Sequence, residues 1–247
     1  MNVAKYSANG NDFVIFDSQH KEDRSELAKE LCHRQNGVGA DGLIVILSHD
    51  EYDFEWQFYN SDGSHADMCG NGSRAAAHYA FTHNLAPKDM CFLTGAGVIN
   101  ANVEGAMVLS ELTPPKILDK NIEYNSQMWW LLDTGVPHIV SLRESVEEFD
   151  LKEARTLRLK YNTNVNICAV DGKNLRVRTY ERGVEDETLA CGTGMAACFY
   201  RALQEQKVSN KIEVYPTSGE TLYLGVNERT ITFKGEVINT FNTEWNI

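Results

Sequence analysis

Two short segments of the chain combine a side chain and a backbone pattern that together can move a proton. They are Cys69-Gly70-Asn71-Gly72 and Cys191-Gly192-Thr193-Gly194. Each is followed by small residues, Ser73-Arg74-Ala75-Ala76-Ala77 in one and Met195-Ala196-Ala197-Cys198-Phe199 in the other. This pattern predicts a cysteine at the start of a helix. There the unpaired backbone N–H groups and the positive end of the helix dipole favour a thiolate. The glycines let another group approach the backbone closely, and the same N–H groups can hold a carboxylate. Each copy therefore offers a reactive sulfur beside an anion site.

One such motif alone reads as a small core cysteine that caps a helix, since buried cysteine is common. Two copies separated by half the chain ask for more. If two domains each present one copy across a cleft, a thiolate on one side and a thiol on the other suit stereoinversion. One sulfur removes a proton next to a carboxylate and the other returns a proton to the opposite face. The N–H groups at both helix starts stabilise the carbanion-like intermediate, and no electron-sink cofactor is required. A zinc site is not expected, because no CxxC or HxxxH pair occurs. Gly37-Val38-Gly39-Ala40-Asp41-Gly42 has neither the dinucleotide-binding nor the P-loop spacing. A thiol hydrolase using His138, after Gly135-Val136-Pro137, would leave the second motif without a purpose.

The elements that must position these residues alternate between strand and helix. Phe13–Phe16 and Leu43–Leu47 read as strands. Phe54, Trp56 and Phe58 alternate with polar residues in the manner of a half-buried strand. Ser25 is the expected N-cap of a helix running to about Arg34, with Cys32 mid-helix. A polar, turn-rich stretch from Asn60 to Met68 leads into a helix from about Gly70 to Thr82, and short strands follow to Leu112. Thr113-Pro114-Pro115-Lys116 marks a boundary, since prolines interrupt strand pairing. We therefore expect an N-terminal half over 1–115 and a C-terminal half over 116–247, whose last residues, Asn239–Ile247, can pack back on the first half. In the second half, strands are expected at 129–133, 139–142, 165–170, 176–181, 211–215, 221–226 and 230–234. A helix is expected from Cys191 to about Gln206. The fold class is α/β.

The chain has 247 residues, with 23 Lys plus Arg against 35 Asp plus Glu, a net charge of −12. That balance argues against nucleic acid and against a polybasic membrane anchor. No apolar run is long enough to span a membrane, and Met1-Asn2-Val3-Ala4-Lys5 does not lead into a signal-peptide core. A cytoplasmic location is expected. The six cysteines then read as reduced thiols, of which Cys32, Cys91, Cys168 and Cys198 are assigned to packing.

In order along the chain stand Gly10-Asn11-Asp12-Phe13, Gly37–Gly42, and Asn60-Ser61-Asp62-Gly63-Ser64 leading to Met68–Gly72. They continue with Gly135-Val136-Pro137-His138, Asn164-Val165-Asn166, and Tyr180-Glu181-Arg182-Gly183 leading to Glu187–Gly194. In these blocks, from about Lys5 to Gly235, the chain resembles the diaminopimelate epimerases, cofactor-independent enzymes of lysine and peptidoglycan precursor synthesis. The resemblance implies two pseudo-symmetric domains, each a curved mixed sheet or barrel around a central helix, with the active-site cleft between them. It implies Cys69 and Cys191 as the acid–base pair, with His138 and Glu181 near the thiols and the reacting amino group. Gly70, Asn71, Gly192 and Thr193 would hold the α-carboxylate, while Asn11, Asn60, Asn166, Glu181 and Arg182 would recognise the substrate. It further implies a small-molecule amino-acid substrate, no cofactor or metal, and a homodimer.

Arg182 suits a bidentate carboxylate contact and Glu181 an ammonium. Neighbours on a strand face opposite ways, so both serve one ligand only if the chain turns there, as Gly183 allows. Three departures stand out: Val136 where the family often has Asn, a 183–190 loop one residue longer than a common form, and Ala8-Asn9 beside Asn11. Proline or hydroxyproline racemases share the two-cysteine logic, but their substrates lack the distal amino-acid group that these residues would bind. A non-catalytic amino-acid-binding protein on the same fold would not need both helix-start cysteines.

Overall fold

The structure is a computed structural model that describes residues 1–227 and 230–246. Ile247, at the end of the expected C-terminal tail, lies outside the described residues. The chain divides into two compact units, Met1–Glu111 with Gly235–Ile247, and Leu112–Lys234.

The first unit runs β1 (Asn2–Ala8), β2 (Asn11–Ser18), α1 (Ser25–Cys32), β3 (Gly42–Leu47), β4 (Phe54–Asn60), α2 (Gly70–Thr82), β5 (Asp89–Thr94), β6 (Gly97–Glu104) and β7 (Met107–Glu111). The second runs β8 (Lys116–Tyr124), β9 (Gln127–Asp133), β10 (Pro137–Arg143), α3 (Leu151–Tyr161), β11 (Asn164–Asp171), β12 (Asn174–Glu181), β13 (Asp186–Thr188), α4 (Gly192–Gln204), β14 (Lys211–Tyr215), β15 (Leu222–Asn227) and β16 (Thr230–Glu236), whose last two residues already belong to the first unit. Finally β17 (Ile238–Glu244) pairs antiparallel with β1 inside the first unit.

The two units repeat one pairing scheme. From β1 to β7 the neighbours are antiparallel, parallel, antiparallel, parallel, antiparallel and antiparallel. From β9 through β12 and β14 to β16 the scheme is the same. Each parallel pair needs a crossover, and each crossover carries a helix: α1 and α2 in the first unit, α3 and α4 in the second. The fold is mixed α/β, rich in sheet and poor in helix.

β3 is buried on both faces, which explains the unbroken apolar run Leu43–Leu47. Phe13, Ile15, Ile44 and Ile46 pack toward the alanines of α2. Val14, Phe16, Leu43 and Val45 pack with Ala28 and Leu31 of α1. In the second unit Ile139, Val165 and Ile167 pack with Ala154 and Leu157 of α3. α2 packs against β1, β2, β3, β6 and β7. A helix surrounded in this way has no solvent face until its last turn, where Phe81 and Thr82 are exposed, which is why Ala75, Ala76, Ala77 and Ala80 are all buried.

Several expected elements shift. α1 ends at Cys32 rather than near Arg34, so Cys32 is its last residue, and Arg24 holds the N-cap position expected of Ser25. The carboxylate of Asp23 accepts from both the backbone N–H and the hydroxyl of Ser25. The α1 carbonyls are met by Gly39 and Ala40, whose N–H groups reach Leu31 and Cys32. α3 and β8 were not expected from the sequence.

Candidate active site

The first cysteine sits where the motif predicts. Cys69 is the N-cap of α2, with extended backbone (φ −149°, ψ 116°), and its Sγ accepts the Gly72 N–H at 3.3 Å. A sulfur in this position takes over one of the first-turn amides that a helix cannot satisfy internally. Gly70 and Asn71 form the first turn and are buried. The Asn71 amide is locked, its Nδ2 donating to Asn11 Oδ1 at 2.7 Å and its Oδ1 accepting from Arg74. Asn11 passes the chain on by donating to Asp41 at 3.0 Å.

Local chemistry explains how Asn11 gets there. Asn9 and Gly10 both have positive φ, 51° and 87°, which is the two-residue hairpin turn that Asn-Gly favours. It starts β2 at Asn11. Beside it, Asp12 is bound by Arg34 and Lys5; burial alone would raise its carboxyl, but these two cations outweigh burial and hold it below the usual range. Arg34 also reaches Asp41 at 2.7 Å. The Gly37–Gly42 block is thus the connection that delivers Asp41 and closes α1. Asn60 ends β4, and its Nδ2 donates to Ser64 Oγ at 2.9 Å.

In the second unit Cys191 is the N-cap of α4, also extended (φ −124°, ψ 108°), but its sulfur makes no cap bond to the backbone. Its Sγ lies 3.6 Å from Thr193 Oγ1. Thr193 Oγ1 is 2.9 Å from His138 Nε2, and His138 Nδ1 is 3.0 Å from Asn166 Nδ2. Asn166 Nδ2 also donates to the Ile139 carbonyl at 3.2 Å, and Asn166 Oδ1 accepts from Thr179 Oγ1 at 2.9 Å. His138, fully buried, is pushed down to about 3, first by burial and further by the charge of Arg182. It is a neutral imidazole across the physiological range. Asn166, expected at the ligand, lies behind His138 with no exposed surface.

Gly194 has a specific reason to be glycine. A Cβ there would stand 2.3 Å from Asn166 Oδ1, 3.1 Å from Thr179 Oγ1 and 3.3 Å from His138 Cε1. The close approach that the motif predicts is therefore made by the Asn166 amide. At the matching Gly72 the nearest atom is 3.3 Å away.

Glu181 ends β12, and Arg182 follows at the start of a turn in which Gly183 has φ 97°. The Arg182 N–H donates to Asn164 Oδ1, and its guanidinium donates to the Asn162 carbonyl. The chain thus turns at the point where neighbouring residues need to serve one side. The longer loop is a short hairpin, with β13 paired to β12 and Glu185 in a positive-φ position (61°).

Two residues of this unit carry no signal of their own in the sequence. Thr179 lies on the inner face of β12, and Thr134 Oγ1 donates to the Thr193 carbonyl at 2.9 Å. The remaining cysteines cap no helix N-terminus. Burial pushes the Cys32 thiol up to about 12 and raises the Cys91 thiol. Burial and the neighbouring Cys168 push Cys198 well above its ordinary value.

The fold is that of the proline racemases and PhzF-type proteins: a probable proline racemase of Agrobacterium radiobacter superposes with a TM-score of 0.80 at 11% identity, covering 100% of this chain and 93% of that one. The family profile described as diaminopimelate epimerase matches residues 3–118 and 130–237. A diaminopimelate epimerase of a Nitratiruptor species is 61% identical over 98% of both chains. One of Campylobacter lari is 53% identical over 100% of this chain and 99% of that one. The chain belongs to the diaminopimelate epimerase family. No helix among the described residues is long and apolar enough to cross a membrane.

Proposed function

We propose that this protein interconverts LL- and meso-diaminopimelate without a cofactor, with Cys69 and Cys191 as the proton-transfer pair. The observation that carries the reading is the presence of two N-cap cysteines, each opening the buried helix of its own unit. In the reaction one sulfur takes the α-hydrogen as a proton. The C–H bond breaks, an S–H bond forms, and the electron pair spreads into the α-carboxylate. The other thiol then protonates the opposite face of that carbon. The exchange is balanced and needs no further reactant.

The hydrogen next to a carboxylate is weakly acidic, so the developing charge must be met by fixed donors. The helix-start amides of Gly70, Asn71, Gly192 and Thr193 suit that task. Glu181 and Arg182, with Asn11 and Asn60, suit the distal ammonium and carboxylate of the substrate. Asn166 contributes through His138. Curated relatives named diaminopimelate epimerase support the substrate assignment. A cytoplasmic location and a homodimer belong to the same reading, and sedimentation of the purified protein tests the second.

Incubation of reduced protein with LL-diaminopimelate in heavy water, followed by NMR, should give α-deuteration and meso product. Cys69→Ala and Cys191→Ala should each abolish inversion. Near-normal turnover by either variant would remove the two-base scheme.

A further inference from the structure

A file of buried polar groups crosses the second unit and ends on Cys191, and its direction can be read from one carbonyl. Thr179, Asn166, His138 and Thr193 stand on β12, β11, β10 and the first turn of α4. Thr179 is 3% exposed, Thr193 9%, and the two residues between them not at all. A backbone carbonyl only accepts, so the Asn166 atom 3.2 Å from the Ile139 oxygen is the amide nitrogen. That same nitrogen faces His138 Nδ1 at 3.0 Å, so Nδ1 accepts. A neutral imidazole carries one ring proton, which must then be on Nε2, where it points at Thr193 Oγ1, 2.9 Å away. Because the threonine hydroxyl accepts from His138, its own hydrogen goes elsewhere, and Cys191 Sγ is 3.6 Å away.

We propose that Thr193 is a positioning residue that aims its hydroxyl hydrogen at Cys191 Sγ and holds that sulfur as a thiolate, with Thr179, Asn166 and His138 fixing the direction of the chain. The place of this thiolate in turnover rests on the epimerase reading; the direction of the chain does not. One consequence concerns His138. Its Nε2 is already protonated, so it cannot receive a proton from Cys191 through Thr193. The chain is a fixed donor, not a shuttle, and Cys191 exchanges its proton with the substrate carbon.

The arrangement is specific to one of the two cysteines. Cys69 Sγ accepts a backbone N–H, from Gly72, and the residue matching Thr193 is Asn71, whose amide bonds to Asn11 and Arg74. Titratable and charged groups around this end of the chain include Cys198 and Arg201 on α4 and Cys168 on β11, with Arg182 after β12 acting on His138. Both neighbouring thiols are fully buried, and burial keeps Cys198 protonated. Gly194 admits the Asn166 amide against the helix, and Thr134 pins the Thr193 carbonyl.

The test is the pH dependence of alkylation of Cys191 by iodoacetamide, read by peptide mass mapping in a Cys69→Ala background. Losing a hydrogen bond to a charged acceptor should move the midpoint for Thr193→Val upward by about one to two pH units. Thr193→Ser should keep the parent midpoint. In the protein with Cys69 intact, Thr193→Val should leave the Cys69 profile where it was. Long-range proton–nitrogen NMR of the unsubstituted protein should show His138 protonated at Nε2 and bare at Nδ1. An unchanged midpoint in Thr193→Val, equal shifts in the valine and serine variants, or a proton on Nδ1 would each overturn the proposal. None of these readouts involves diaminopimelate, so their failure is distinct from absence of epimerase activity.

Discussion

Replacing Gly194 with alanine probes a close contact that the two motifs do not share. The added methyl carbon would sit 2.3 Å from Asn166 Oδ1, where ordinary contact begins near 3.4 Å, so about 1 Å must be found. The amide has nowhere to go: it is tied to Thr179, His138 and the Ile139 carbonyl. Moving it breaks at least the Thr179 bond and leaves buried polar atoms unpaired, a loss of about 1–3 kcal/mol. Overpacking strain adds about 1–3 kcal/mol, while the better helix propensity of alanine returns up to about 1 kcal/mol. A net loss of about 3 kcal/mol corresponds to a fall in Tm of roughly 6–12 °C for a chain of this size. At the matching Gly72 the added carbon meets Cys69 Cβ at 3.3 Å, Ile44 Cδ1 at 3.4 Å and Trp56 Cζ3 at 3.5 Å. There strain and propensity nearly cancel. Thermal unfolding of the two variants followed by circular dichroism should therefore separate them. Asn166→Ala in the Gly194→Ala background should also cut the cost of the glycine substitution to below about 1 kcal/mol, because the two sites touch. Equal Tm losses at 72 and 194, or a glycine cost unchanged by removing the amide, would refute the reasoning.

The pH dependence of stability should carry the signature of His138. Its folded pKa, about 3, lies below the unfolded value of about 6.5. Its contribution is therefore intact above pH 6.5 and is lost as pH falls toward 3. Near pH 5 the loss is about 2 kcal/mol. Urea unfolding at pH 7 and pH 5 should show that difference in the parent and not in His138→Gln; parallel losses would contradict it. Asp150→Ala removes the N-cap of α3, whose carboxylate accepts from the Lys152 and Glu153 N–H groups, and should cost about 1 kcal/mol. An unchanged urea midpoint would show that α3 stands without its cap.

Much of the site was legible because its chemistry is local in sequence. A cysteine, two glycines and a run of small residues specify an N-cap, and the helix from Gly70 to Thr82 falls where that pattern predicts. The alternation of Phe54, Trp56 and Phe58 likewise marks β4. α3 carries an equally local signal: Asp150 followed by Glu153, with Ala154 and Leu157 on one face. Glu153 does not reach back to the cap, however; it pairs with Arg143 and Asn125, so only half of the capping pattern is realised. The N-cap of α1 misled for a related reason, since Asp23, two residues before Ser25, supplies the oxygen. β8 gave no warning because its residues are largely exposed and its pairing with β9 is irregular, which erases the period-two pattern.

What the sequence could not show is the part set by pairing between distant strands. The register of β10 on β11 pairs His138 with Asn164 and Val140 with Asn166, and that of β11 on β12 pairs Asn166 with Thr179. A hydrogen-bonded file ending on Cys191 exists only because those registers hold, and a one-residue slip would turn each side chain to the other face. The duplicated motif suggests two equivalent cysteines, but the third motif residue divides them. Asn71 ties the first helix start to Asn11 and Asp41, while Thr193 connects the second to a neutral histidine. Two sulfurs in unlike surroundings fit a reaction in which, at any moment, one must accept a proton and the other give one. If their environments matched, their thiolate fractions would rise and fall together with pH, and a mixed thiolate–thiol pair would be populated only near their common pKa. With the chain direction proposed above, Cys191 receives a hydroxyl hydrogen where Cys69 receives a backbone amide, so the two sulfurs meet different donors.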